Sequence, residues 1–238
     1  MAKEMIDRVY QKVLALANKE QRGYITPQEF NLFADQAQLE IFEQYFYDLE
    51  QFKRRPGSNT EFADLGDLVS KKIEIFGKSM YDVSDGYDFS NLENFYRIET
   101  VYLVKDSNLQ VLATAEHQTI EEFTESANLG KLGHTNMRPV YRLRGNIITF
   151  NPSPNPLGKY VCDYTAKPKT PNWTYVISDQ SALYNPNNFD YQDFELHSSE
   201  ENNLVIKILA LAGVAIKDLQ LVQAVGAKEA GTIQQQKQ

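Results

Sequence analysis

Ile6, Val9, Tyr10, Val13, Leu14 and Ala17 recur at helical spacing, so the first segment of the chain is expected to be an amphipathic helix. Gly23 interrupts that pattern. A second start signal follows at once, with Thr26 as N-cap, Pro27 at the first helical position and Glu29 three residues after the cap. This is a capping box, and a proline at that site removes only an N–H that has no helical partner. The helix it opens is expected to run to about Lys53, roughly 40 Å at 1.5 Å per residue. Arg54, Arg55, Pro56 and Gly57 end it, and the cations suit the negative end of the helix dipole.

This second helix carries two apolar stripes where a surface helix needs one. Phe30, Phe33, Ala37, Ile41, Tyr45 and Leu49 form the first, and Leu39, Phe42 and Phe46 the second. From Thr26 to Phe52 it holds six acids (Glu29, Asp35, Glu40, Glu43, Asp48, Glu50) and no base. Glu29, Glu40, Glu43 and Glu50 share one narrow face of the helical wheel. Two readings follow. The helix is the centre of a bundle within one subunit, or it packs inside its subunit on one side and against a neighbour on the other. The second reading nominates Leu39, Phe42 and Phe46 as a subunit interface.

A β-rich middle is expected to begin near residue 71, where Ile73 and Ile75 alternate before Gly77. Tyr96 to Val104 and Leu109 to Ala115 read as strands joined by an Asp106-Ser107-Asn108 turn. Thr119 and Glu122 make another capping box, opening a short helix through about Ala127. Residues 140–150 read as a hairpin turning at Gly145-Asn146, followed by strands at 159–165 and 173–177. Residues 178–194 read as a polar aromatic loop. A last helix is expected from Ser198 or Ser199, capped by Ser198 and Glu201, with Leu204, Val205, Ile208, Leu211, Ala212, Ala215, Leu219 and Val222 along its stripe. The fold class is therefore α+β, with N-terminal and C-terminal helices packed as a bundle and an antiparallel β-rich insertion between them. The expected divisions are 1–60 for the N-terminal helices, 61–194 for the β-rich domain and 195–238 for the C-terminal helix and tail.

Composition narrows the function. The chain has 238 residues, 42% of them hydrophobic, which is enough for a real core. Its net charge of −8 argues against broad nucleic-acid binding, which needs clustered Lys and Arg. One cysteine, Cys162, excludes an intrachain disulfide and a multi-cysteine zinc site. The longest apolar run, Ile208 to Ile216, has nine residues, whereas a membrane span needs roughly twenty. The N-terminus mixes charges without an apolar signal core. No membrane association is expected.

A search for chemistry returns weak patterns only. Gly130-Lys131-Leu132-Gly133 lacks the spacing and the Lys-Ser/Thr pair of a phosphate loop. Asp82-Val83-Ser84-Asp85-Gly86 with Glu93 faintly resembles a calcium loop, but its glycine falls at position five. Glu195, His197, Glu200 and Glu201 are the best group of metal-ligand types, though acids also belong in the first turn of a helix. Cys162 has no local base, and no nucleophile elbow is present. Trp173 with Tyr160, Tyr164 and Tyr175 could stack bases, yet Lys159, Lys167 and Lys169 make a poor basic patch. No catalytic residue, metal or cofactor is expected.

Two stretches carry a resemblance. Ala17 to Phe33 (ANKEQRGYITPQEFNLF) resembles virion structural proteins of tailed bacteriophages, including crAss-like and short-tailed marine phages. The run from Asp193-Phe194-Glu195-Leu196-His197 to Ile216 resembles the start of their C-terminal helix. The helix, sheet, helix order is also similar to the head-to-tail adaptor (tail tubular) family. The resemblance implies a non-enzymatic ring protein of the virion neck or tail, assembled in the bacterial cytoplasm, with about twelve copies stacked below the portal. It implies a C-terminal segment reaching toward the portal or an adjacent ring or tail protein. The polar stretch beginning at Gly226, with Gln234, Gln235, Gln236 and Gln238, is the candidate docking tail. Genomic DNA would pass through such a ring without specific binding, repelled by acidic walls. A soluble enzyme whose site is scattered in sequence, and a monomeric or dimeric scaffolding module, are the alternative classes.

Overall fold

A computed structural model describes residues 4–19, 25–54, 60–105, 110–128, 138–153, 158–178 and 181–215. The protein is α+β, with five helices and eight strands among these residues. The chain divides into two compact units, Met1–Ile75 with Pro168–Gln238, and Phe76–Lys167.

The first unit is helical. It contains α1 (Met5–Lys19), α2 (Pro27–Arg54), α3 (Thr60–Glu74) and α5 (Glu201–Ala215), with a two-stranded hairpin of β7 (Tyr175–Ser178) and β8 (Ser181–Tyr184). Thr26 and Glu29 form the expected capping box: Thr26 N–H donates to Glu29 Oε2 at 2.9 Å, and Glu29 N–H donates to Thr26 Oγ1 at 3.2 Å. Helix α2 packs against both α3 and α5, and α1 packs against α5. Both apolar stripes of α2 are thereby used within the subunit. Ala37, Ile41 and Tyr45 are buried, and so are Phe42 and Phe46, at 1% and 6% exposure. The expected neighbour-facing set is corrected accordingly: Phe42 and Phe46 belong to the subunit's own core, and only Leu39 is half-buried. The physical reason is that α2 packs against both α3 and α5 of its own unit, which together supply surfaces for both stripes.

Helix α3 also overturns the expected strand at Ile73 and Ile75. Ile73 lies in the last turn of that helix, four residues after Val69, Ile75 follows its end, and the first strand begins at Gly77. The expected loop at 178–194 contains β8, and Trp173 lies just before β7 rather than in it. At the C-terminal helix, His197 rather than Ser198 is the cap: its Nδ1 accepts from the Ser199 N–H at 3.2 Å, and a 3₁₀ turn over Ser198–Glu200 leads into α5. Leu204 and Ile208 are buried in the bundle. Leu219, Val222 and the tail residues Gly226, Gln234, Gln235, Gln236 and Gln238 lie outside the described residues.

The second unit is a six-stranded sheet built from β1 (Gly77–Val83), β2 (Phe95–Lys105), β3 (Val111–His117), β4 (Val140–Arg144), β5 (Ile147–Asn151) and β6 (Gly158–Ala166), in the order β1-β6-β2-β3-β4-β5. Only β3 and β4 run parallel, and α4 (Ile120–Asn128) lies between them in the chain. The segment after β1 returns along β5. Gly86 N–H donates to the Ile148 carbonyl at 2.9 Å, Ile148 N–H to Tyr87 at 3.0 Å, and Phe89 N–H to Asn146 at 2.9 Å. These bonds bring the segment that follows β1 onto the far edge strand β5, so the sheet curls into a small, partly open barrel around one interior. Its interior is aromatic. Phe89, Val101, Leu103, Ile148, Phe150, Tyr160, Cys162 and Tyr164 are packed together, with Phe150 stacked on Tyr160 at 4.0 Å.

The unit boundaries thus fall at 75/76 and 167/168 rather than at 60/61 and 194/195. Helix α3 packs on α2, and residues 168–194 bond to α1 and α2, so both segments belong to the helical unit.

Candidate functional site

The segment between the barrel and α5 is held to the helices by side-chain amides. Asn31 Nδ2 donates to the Trp173 carbonyl at 3.2 Å, and the Trp173 N–H donates back to Asn31 Oδ1 at 2.9 Å. Two turns along α2, fully buried Gln38 donates to the Lys169 carbonyl at 2.8 Å and accepts from the Glu195 N–H at 3.0 Å. An i, i+7 pair on one helix face therefore takes the place of a strand neighbour. Trp173, buried against Tyr10 at 4.0 Å, also donates its indole N–H to Asp7 at 3.2 Å. Asp193 caps α1 from far away in sequence, accepting from the Met5 N–H at 3.0 Å and the Ile6 N–H at 2.7 Å.

Charged residues in this unit are likewise committed. Buried Glu200 accepts from Lys72 Nζ at 2.5 Å and Asn203 Nδ2 at 2.5 Å. The Tyr45 hydroxyl lies beside this carboxylate, outside hydrogen-bond geometry. Burial, reinforced by Glu200, pushes that hydroxyl above the usual tyrosine range. Glu201 bonds Lys12 at 2.7 Å and Arg8 at 3.0 Å, which holds its carboxyl below the usual range against the opposing effect of burial. Tyr184 donates its hydroxyl to Glu4, with Tyr191 beside them; burial first, then the Glu4 carboxylate, raises both hydroxyls.

These contacts fix a platform under the β7–β8 hairpin. Tyr175 and Tyr184 are paired across the strands and stack on Trp173, at 5.7 Å and 5.8 Å between ring centres. The opposite face carries the pair Val176 and Leu183, 53% and 54% exposed. Ile177 is 72% exposed, and Phe189 on the loop beyond β8 is 93% exposed. No third strand pairs with β7 or β8 among the described residues. An anchored apolar hairpin of this kind has the character of an interaction surface. On α2, Glu29, Glu40, Glu43 and Glu50 are all exposed, as is Tyr47 between them. The sequence indicates the first strand, expected at 173–177 and found at Tyr175–Ser178, but not its partner β8, which lies among Asn, Pro and Asp residues that signal a loop. The signal available was the run of Val176, Ile177, Ala182 and Leu183 around a short polar turn.

The weak chemical patterns resolve into structural roles. Asp82 pairs with Lys159 at 2.7 Å, Asp85 accepts from the Phe150 N–H at 2.8 Å, and Asp88 caps a 3₁₀ turn through the Ser90 N–H at 2.8 Å. The candidate ligand group near α5 is dispersed: Glu195 accepts from the Lys169 N–H, His197 caps, and Glu200 and Glu201 face different cations. No group of three or more His, Cys, Asp or Glu is placed to hold a metal ion among the described residues. Cys162 is buried in the barrel, where burial first and then Asp163 push its thiol up to about 12. Trp173, Tyr160 and Tyr164 are buried, so their rings are not open to stacking bases. No helix is long and apolar enough to cross a membrane among the described residues. No protein-family model matches the chain, and no curated protein matches it.

Proposed function

We propose that this chain is a non-enzymatic structural subunit of a tailed-phage neck or tail, assembling as a closed ring that links the portal to tail components. The observation that carries the reading is the apolar β7–β8 hairpin. It is fixed from below by Trp173 and presents Val176, Ile177, Leu183 and Phe189 outward. Isolated apolar residues on a surface are ordinary, but a rigid hairpin bearing several is suited to a protein partner. The helix–barrel–helix order agrees with the adaptor architecture that the sequence resembles. The acidic face of α2 (Glu29, Glu40, Glu43, Glu50) suits a wall along which DNA slides without adhering. Native mass spectrometry and negative-stain imaging of the purified full chain test the proposal. A closed ring, with the chain present in virions, is the expected result. A monomer at every concentration, absent from particles, would overturn it.

A further inference from the structure

Charge is segregated along this chain in a way that pairs one surface with another. From 170 to 206 there is no Lys or Arg, and there are six acids: Asp179, Asp190, Asp193, Glu195, Glu200 and Glu201. Asp193, Glu195, Glu200 and Glu201 are engaged by α1, Lys169, Lys72, Arg8 and Lys12. Asp190 is exposed beside Phe189, close in sequence to the hairpin. From 127 to 162 the reverse holds, with five bases (Lys131, Arg138, Arg142, Arg144, Lys159) and no acid. Lys159 pairs with Asp82, and Arg142 lies over the Phe123 ring at 4.8 Å. Arg138 and Arg144 are exposed on and beside β4, and Arg144 pairs across the β4–β5 hairpin with exposed Ile147. The β4–β5 hairpin itself carries no acid; of the acids around it, Asp85 and Asp88 are engaged with the Phe150 and Ser90 backbone N–H groups, and exposed Glu116 on β3 is in register with Val140.

We infer that the β7–β8 hairpin of one copy docks on the β4–β5 hairpin of the next, a head-to-tail contact that rests on the ring reading above. Val176, Leu183 and Phe189 cover Ile147, while Asp190 meets Arg138 and Arg144. The occupant is a second copy of this chain because the acidic, apolar hairpin and the basic hairpin complement each other within one sequence. Edge-to-edge pairing of two β7–β8 hairpins would instead bring two surfaces of the same negative sign together. The contact joins two different surfaces, so it propagates from copy to copy and closes only as a ring.

The test uses two full-length variants whose changes fall on exposed residues. Val176→Ser with Leu183→Ser disables the donor surface, and Arg138→Glu with Arg144→Glu disables the acceptor. Each variant alone should remain folded by circular dichroism and run as a monomer under conditions where the unaltered chain assembles. Mixed in equal amounts, they retain one good donor and one good acceptor between them. Native mass spectrometry should therefore show a dimer containing one copy of each, and no larger species. Assembly of the unaltered chain should weaken at least about tenfold as salt rises from about 0.05 to about 0.5 M, through screening of the charge pairs. Full assembly by either variant, or no heterodimer from the mixture, would overturn this interface while leaving the ring reading intact. An unaltered chain that stays monomeric would overturn both.

Discussion

The barrel and the helical unit reach a buried interior by different means. In the barrel the residues that fill the core sit on strands whose backbones already pair, so packing and ladder reinforce each other. Tyr160, Cys162 and Tyr164 alternate inward on β6 while their backbones bond β1 and β2. In the helical unit the segment from Pro168 to Phe194 has little partner strand. It is fixed by a few polar side chains, namely Asn31, Gln38, Asp7 and Asp193, acting on backbone or indole groups distant in sequence. Load in the barrel is spread over many small terms, whereas in the helical unit it is concentrated in a few residues. Truncations in the helical unit should therefore be the more damaging, and the exposed hairpin, which rests on that unit, should report them.

The largest expected effect comes from Trp173→Ala. It removes a fully buried ring together with the surface on which Tyr175 and Tyr184 stack. The expected loss is about 4 kcal/mol, against about 1 kcal/mol for Ile148→Val in the barrel core. Denaturant titration gives the stabilities, and amide exchange should show the hairpin losing protection before the barrel does. Equal losses from the two substitutions would remove the contrast between the units.

Gln38→Leu should come next. The side chain keeps roughly its volume but leaves the Lys169 carbonyl and the Glu195 N–H without their partner. The expected loss is about 2 kcal/mol, and Tyr160→Phe in the barrel, which frees only the Pro152 carbonyl, should lose about 1 kcal/mol. Asp193→Ala removes the acceptor at the start of α1 and should lose about 1.5 kcal/mol, by the same unfolding measurement, with Asp193→Asn recovering part of it.

The same contrast explains what the sequence made legible. Helices α1, α2 and α4 and the β4–β5 hairpin are specified locally, by periodicity, by the Thr26 and Thr119 boxes, and by Gly145 at a φ of +61°. Long-range polar contacts leave no such trace. Nothing near Asp193 indicates that it caps a helix that begins at Met5, and nothing near Gln38 marks it as a buried bracket. Helix α3 is obscured at its C-terminal end, where Ile73 and, just beyond the helix, Ile75 imitate strand alternation. The second stripe on α2 needs a partner surface, and α3 and α5 of the same chain bury α2 on more than one side. The candidate interface moves to a hairpin whose second strand is hidden among turn residues.

The smallest expected effect is a dependence on pH confined to the helical unit. The Lys12 hydrogen bond, assisted by Arg8, lowers the Glu201 carboxyl below its ordinary value, with burial acting the other way. A depressed folded-state pKa means that the unfolded chain binds the proton more readily. The stabilisation is therefore fully present above the unfolded-state pKa of about 4.3 and is lost as pH falls through the lower folded value. Glu201 is partly accessible, with side-chain exposure of 17%, so the contribution should stay under about 1 kcal/mol. Glu201→Gln should reduce stability slightly at pH 7 and flatten the loss of stability below about pH 4.3, because the amide has no proton to gain. Melting curves of both proteins at pH 7 and pH 3, followed at the Trp173 fluorescence that reports this unit, provide the measurement. An acid limb unchanged by the substitution would place the pH dependence elsewhere and remove Glu201 from the set of residues that hold α1 to α5.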